Sequence, residues 1–198
     1  MPRAEHAEFN PLDYDNLART CVEELMRRGP WRLEDSTATT FDGAGVYALF
    51  YEGSFAPYAA LRAPDALRPI YVGKAVPPGG RKGRGRPGPN RALWGRLAEH
   101  RESITAAHSS LNTADFLVRY LVVTPLWISM AEGLLIDEFQ PAWNVCLEGF
   151  GNHDPGGGRH AGEIPWWDAM HGGRPWAARL RQTRSQDHAL RRLAEFLR

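Results

Sequence analysis

Apolar residues along the chain switch between two periods. From Leu17 to Met26 they recur at helical spacing (Leu17, Cys21, Val22, Leu25, Met26), and Gly29-Pro30 closes that helix. Residues 31–42 read as a polar linker. Two β-like runs follow, roughly 45–52 with VYALFY and 69–73 with PIYVG. The segment between them, GSFAPYAALRAPDALR, is longer than a hairpin turn and predicts irregular structure of its own. PPGGRKGRGRPGP at 77–89 is too rich in glycine and proline for a regular element and predicts a mobile loop. Asn90 suits the N-cap of a helix running to about Ala107, and DFLVRYLVV at 115–123 predicts a third strand. Thr124-Pro125 reads as the N-cap and first-turn proline of another helix, which must stop before Pro141. The tail is a long glycine-rich loop, LEGFGNHDPGGGRHAGEIPWW. It ends in an amphipathic helix with Leu190, Leu193, Ala194 and Leu197 on one face. No internal repeat is visible.

Two of these helices carry polar residues in telling places. Wound at 100° per residue, 126–139 is apolar nearly all round (Leu126, Trp127, Ile128, Met130, Ala131, Leu134, Leu135, Ile136, Phe139), the pattern of a buried helix. Glu132 projects between Ile128, Ile136 and Phe139, where an unpaired carboxylate would cost several kcal/mol. It therefore needs a cation: an arginine such as Arg119, or a hard divalent metal. In the helix after Asn90, Arg96 and His100 are four apart and so neighbours on its surface. His100 shares a stripe with Leu93, Leu97 and Ile104 and faces inward.

With 198 residues and 43% hydrophobic content, the chain suits one core with short attachments. No run approaches the roughly 18 apolar residues of a membrane span, and MPRAEHAEFN lacks a secretory apolar region, so the expected setting is cytoplasmic, without membrane. Cys21 and Cys146 lie far apart with no C-x-x-C, which predicts two reduced, buried thiols. The formal net charge of +1 hides an uneven distribution. Between Lys74 and Arg101 there are eight basic residues (Lys74, Arg81, Lys82, Arg84, Arg86, Arg91, Arg96, Arg101) against the single acid Glu99. The acidic N-terminal segment offsets them. Such a stretch is either a solvated basic loop or a patch for a phosphate backbone, where each neutralised phosphate releases counterions.

The residues that decide between these are Gly45-Val46-Tyr47 and Tyr71-Val72-Gly73, each at a strand-like run. Two phenols from neighbouring strands meet most easily beside glycines that admit other backbone or a ligand. Followed in order by Lys74, Arg96, His100, Glu132 and Asn144, they resemble the GIY-YIG nuclease family, with Val for Ile in both tripeptides. That change is mild because both are β-branched. The runs GAGVYALFYEG, PIYVGKAVPPG, PAWN and GFGNHDPGGGR, over roughly 43–180, resemble its branch of type II restriction endonucleases that cut CCGCGG. The resemblance implies an α+β fold with a small three-stranded, mainly antiparallel sheet flanked by helices. An N-terminal helical extension would cover 1–42 and a catalytic core 43–146, with the basic loop at 77–89. A C-terminal arm and helix would cover 147–198, all in one compact domain.

It also implies Mg²⁺-dependent phosphodiester hydrolysis with one ion per site, held by Glu132. Arg96 would fork onto the nonbridging oxygens. Tyr47 would be the general base, its ordinary pKa of about 10 requiring the metal, Lys74 and Arg96 to favour the phenolate. Tyr71 and His100 would orient it, with the two tyrosines open to exchange, and Asn144 would hold the site's hydrogen bonds. Double-stranded DNA is the implied partner, with the 77–89 loop ordering on it. Lys74, Arg81, Arg84, Arg86 and Arg159 are the candidate DNA-binding residues, some of them reading guanine edges. A palindromic target implies a homodimer, and a restriction system implies a protective methyltransferase by analogy only. Two other readings stand beside this one. A ββα-metal (HNH-like) nuclease would use His153, His160 or His171, and a noncatalytic DNA-binding protein would keep a nuclease-like fold. Trp166, Trp167 and Trp176 read as anchors of the arm to the body or to the partner subunit rather than as base-stacking platforms.

Overall fold

The computed structural model describes residues 12–62, 67–77, 90–154, 156 and 161–198. Among them, β1 (Trp31–Arg32), β2 (Gly45–Tyr51), β3 (Tyr71–Ala75) and β4 (Phe116–Val122) form a four-stranded sheet in the order β1-β4-β2-β3. Every neighbouring pair is antiparallel. The α+β expectation holds, with one strand more than the three anticipated.

That extra strand comes from the supposed linker. Residues 31–42 contribute β1, paired Trp31 to Val118, and α2 (Leu33–Ala38), where Leu33 and Thr37 are buried. The Thr37 hydroxyl donates back to the Leu33 carbonyl at 3.0 Å. A two-residue strand and a six-residue helix are too short to show a period in sequence.

All seven residues of β2 are buried, because both faces of the strand are covered. Tyr47, Leu49 and Tyr51 point to one core, built with α3 (Ala92–Ala106), α5 (Ala142–Val145), α6 (Trp166–His171) and α7 (Gln186–Phe196). Val46, Ala48 and Phe50 point to the other, built with α1 (Tyr14–Met26) and α4 (Ile128–Phe139). A strand covered on both faces reads as the continuous run VYALFY instead of an alternating one.

Three local expectations change. The buried α4 begins only at Ile128: Leu126 and Trp127 belong to a 3₁₀ turn that precedes it and are 79% and 46% exposed. Thr124 makes no side-chain cap there. On α7 the fully buried pair is Ala189 and Leu193, with Leu190 and Leu197 packed beside them and Ala194 facing solvent. Cys146 is buried but Cys21 only half so, and both thiols are free. The connection after β2 folds into a 3₁₀ turn, Ala56–Leu61, that buries Tyr58. Among the described residues no helix is long and apolar enough to cross a membrane. Apart from Pro77, the basic loop lies outside the described residues.

Candidate active site

The antiparallel register of β2 and β3 sets Tyr47 opposite Gly73 and Leu49 opposite Tyr71. Both phenols thus stand on the α3 side of the sheet, ring centroids 6.2 Å apart. Gly73 makes this possible: a Cβ there would lie 2.4 Å from Tyr47 Oη and 2.9 Å from Tyr71 Cε1. The other motif glycine, Gly45, admits backbone, since its Cβ would fall 1.9 Å from the Leu121 carbonyl oxygen. The two glycines of the tripeptides therefore serve different neighbours.

β3 is the outer strand, so its free edge needs partners. Asn144 supplies them. Its Oδ1 accepts from the Val72 N–H and its Nδ2 donates to the Val72 carbonyl, each at 2.8 Å. The side chain grips the backbone between Tyr71 and Gly73 from within α5.

On α3, His100 is 1% exposed and lies in the stripe with Leu93, Leu97 and Ile104. Its Nε2 meets Tyr47 Oη at 2.5 Å. Its ring packs edge-on to Tyr71, centroids 5.2 Å apart, and stacks on Phe150 at 4.4 Å. Burial, then the Arg96 charge, holds His100 well below the usual histidine pKa, so the imidazole is neutral. Burial raises the Tyr47 pKa well above that of a free phenol, with Arg96 pulling the other way. Tyr71 is raised for the same first reason.

Arg96 sits one turn before His100 and is held on three sides. Nη2 donates to the Gly151 carbonyl at 2.6 Å, while Nη1 reaches Glu99 Oε2 at 2.7 Å and His153 Nε2 at 2.6 Å. Phe150, Gly151 and His153 belong to the tail, whose part in the site was not read from sequence. The run GFGN was visible, but nothing in it said that its backbone faces Arg96.

Lys74 and Glu132 lie on the opposite face of β3, the side covered by α4, with Nζ and Oε2 2.7 Å apart. The Glu132 charge still reaches round the edge strand, where it raises the Tyr71 pKa. Arg119, the alternative partner for Glu132, instead donates to the Met26 and Arg28 carbonyls at 2.7 and 2.6 Å, closing the C-terminal end of α1. Among the described residues no three His, Cys, Asp or Glu side chains cluster. A half-buried carboxylate that already holds one cation suits Mg²⁺, which binds through one or two carboxylates and fills its shell with water and phosphate oxygens.

Arg81, Arg84, Arg86 and Arg159 lie outside the described residues, as does His160. His153 is in an irregular segment and His171 is enclosed in α6, so neither has the strand position that a ββα-metal site needs for its base. Trp167 is fully buried against Trp143 and Phe150, Trp166 packs on His188 and Arg192, and Trp176 lies against Arg174. Trp167 ties the arm to α5 through Trp143, while Trp166 and Trp176 pack on residues of the arm itself.

No curated protein matches the chain. A family model described as the Eco29kI GIY-YIG domain matches residues 39–197. That span takes in both tripeptides, α3, Glu132 and the tail turn that grips Arg96, and the chain accordingly belongs to this GIY-YIG family of restriction endonucleases.

Proposed function

We propose that this protein is a type II restriction endonuclease that hydrolyses one phosphodiester bond in each strand of a GC-rich palindrome, CCGCGG. The observation that carries the reading is the 2.5 Å hydrogen bond between Tyr47 Oη and His100 Nε2, set beside Tyr71 and Arg96. Burial with Arg96 keeps His100 neutral, which leaves its Nε2 lone pair free for the Tyr47 hydroxyl, and the same two effects make it a weak base until an anion binds beside it. Tyr47 takes the proton of the attacking water as it passes its own to His100 Nε2. The water oxygen forms a bond to phosphorus, the bond to the leaving 3′ oxygen breaks, and that oxygen is protonated from solvent. The imidazolium so formed would be repelled by Arg96 alone, and the phosphate anion offsets that repulsion. This favours Tyr47 over Tyr71 as the base.

Arg96 remains charged and is preorganised by its three partners, which lets it fork onto the nonbridging oxygens without reorganisation. Glu132 would hold Mg²⁺, which when bound polarises the scissile phosphate and stabilises the leaving oxygen. Lys74, released from Glu132, would turn to the DNA backbone. Asn144 acts by fixing β3 and touches no reacting atom. Cleaving both strands of a palindrome with one site per chain calls for two chains about a twofold axis. The basic loop with Arg81, Arg84 and Arg86, together with Arg159, would supply guanine and phosphate contacts.

The test is a supercoiled plasmid of known sequence incubated with the protein and Mg²⁺. Fragments that map to CCGCGG are expected, with Glu132→Gln slower by about 1,000-fold. A ladder that maps to another motif rejects the target. DNA that is shifted in a gel yet uncut rejects the reaction and favours a noncatalytic binder.

A further inference from the structure

Arg174 lies in the tail, its side chain 4% exposed, and takes no part in the chemistry above. Its Nε and Nη2 fork onto Asp168 Oδ1 and Oδ2 at 2.7 and 2.5 Å. Nη1 donates to the Phe150 carbonyl at 2.9 Å and the Asn152 carbonyl at 3.2 Å, and Nη2 to the Gly149 carbonyl at 2.9 Å. The rings of Trp167 and Trp176 lie on it, each 4.6 Å from the guanidinium carbon. One buried cation therefore holds three carbonyls of the 149–152 turn, and Asp168 neutralises it.

The same turn faces the candidate site. Its Gly151 carbonyl takes Arg96 Nη2 at 2.6 Å, and its Phe150 ring stacks on His100 at 4.4 Å. A Cβ on Gly151 would stand 2.5 Å from Tyr71 Oη and 3.1 Å from Arg96 Nη2, so the backbone fits against both groups with no spare room.

We propose that Arg174 is a positioning residue for DNA cleavage: by pinning the 149–152 turn it places the Gly151 carbonyl that orients Arg96. The role rests on the nuclease reading. Lysine cannot replace it, because one ammonium lacks the planar fork that serves Asp168 and the carbonyls together.

The test is single-turnover cleavage of a CCGCGG plasmid, with DNA affinity measured in parallel in Ca²⁺. Arg174→Lys should slow cleavage about 100-fold, as for a misplaced catalytic group, and leave affinity within about threefold. In an Arg96→Lys background the same change should cost no more than about threefold further, since coupled residues are not additive. An unchanged rate for Arg174→Lys, or equal losses in both backgrounds, overturns the role. Should Arg174→Lys not fold, Asp168→Asn decides, since it keeps Arg174 and leaves every site residue unchanged while weakening the fork that holds Arg174 against the turn. A loss of about 100-fold supports the positioning turn, and a wild-type rate overturns it. Wild-type protein that cuts no DNA defeats the nuclease reading itself, whereas wild-type cleavage matched by Arg174→Lys defeats only this inference.

Discussion

Two buried tyrosine–histidine pairs lie in the same core, and they differ in what surrounds the hydrogen bond. In one, Tyr47 Oη meets His100 Nε2; in the other, Tyr58 Oη meets His171 Nε2; both distances are 2.5 Å. Both phenols are fully buried, and burial pushes both tyrosine pKa values up and both histidine values down. Around Tyr58 every polar atom is closed off: Trp143 Nε1 donates to its Oη at 2.8 Å, and His171 Nδ1 meets Ser110 Oγ at 2.8 Å. Tyr47 instead stands beside an edge strand, next to a second phenol and the Arg96 guanidinium. The hydrogen bond is the same. What makes one pair a candidate for chemistry is a neighbouring cation able to gather an anion; what makes the other a structural element is a closed set of partners.

The largest effect should separate the pairs directly. Tyr47→Phe is expected to slow plasmid cleavage by about 1,000-fold and to cost about 1 kcal/mol of stability, since only His100 loses a hydrogen-bond partner. Tyr58→Phe should keep cleavage within about threefold but cost about 2 kcal/mol, because His171 and Trp143 lose their shared partner. Chemical denaturation and single-turnover kinetics on both variants check this, and a reversed pattern breaks the comparison. A smaller effect tests the opening over β3. Gly73→Ala drives a methyl towards Tyr47 Oη and should cost about 100-fold in rate by displacing the phenol. A wild-type rate there would show that the phenol tolerates displacement.

The third effect is on stability against pH. Burial pulls the His171 pKa down to about 3, so below the ordinary histidine value the unfolded chain binds a proton that the folded one does not. Its contribution is intact above about pH 6.5 and is lost as pH falls towards 3, by up to about 1.4 kcal/mol per unit. His100 adds a loss of the same sign. Urea midpoints at pH 7, 6 and 5 should therefore decline, and His171→Phe should flatten the curve. A wild-type midpoint that does not move breaks the assignment of neutral, buried imidazoles.

Much of the site was legible because it is carried by local periodicity. Tyr47 and Tyr71 sit on runs whose apolar character marks covered strands, and the stripe of Leu93, Leu97 and Ile104 turns His100 inward whatever the rest of the fold does. Glu132 stood out as an acid among apolar neighbours. Its salt-bridge partner was misread, since Lys74 is 58 residues away and nothing local pairs them. The Asn144 clamp was unreadable for the same reason: it depends on β3 being the outer strand, a property of sheet order. Residues 31–42 looked like a linker because β1 and α2 are each too short for a repeat to recur enough times to be seen.

The sequence by itself determined the longer elements and most of their inward faces, because these follow from spacing along one helix or strand, and its resemblance to a nuclease family supplied the residue types a phosphodiester centre would use. Only the tertiary structure decided which phenol meets which imidazole, and that a turn at 149–152 grips Arg96. It alone showed that Arg174 holds that turn. Those choices depend on backbone carbonyls and long-range packing, which have no signature in the order of side chains.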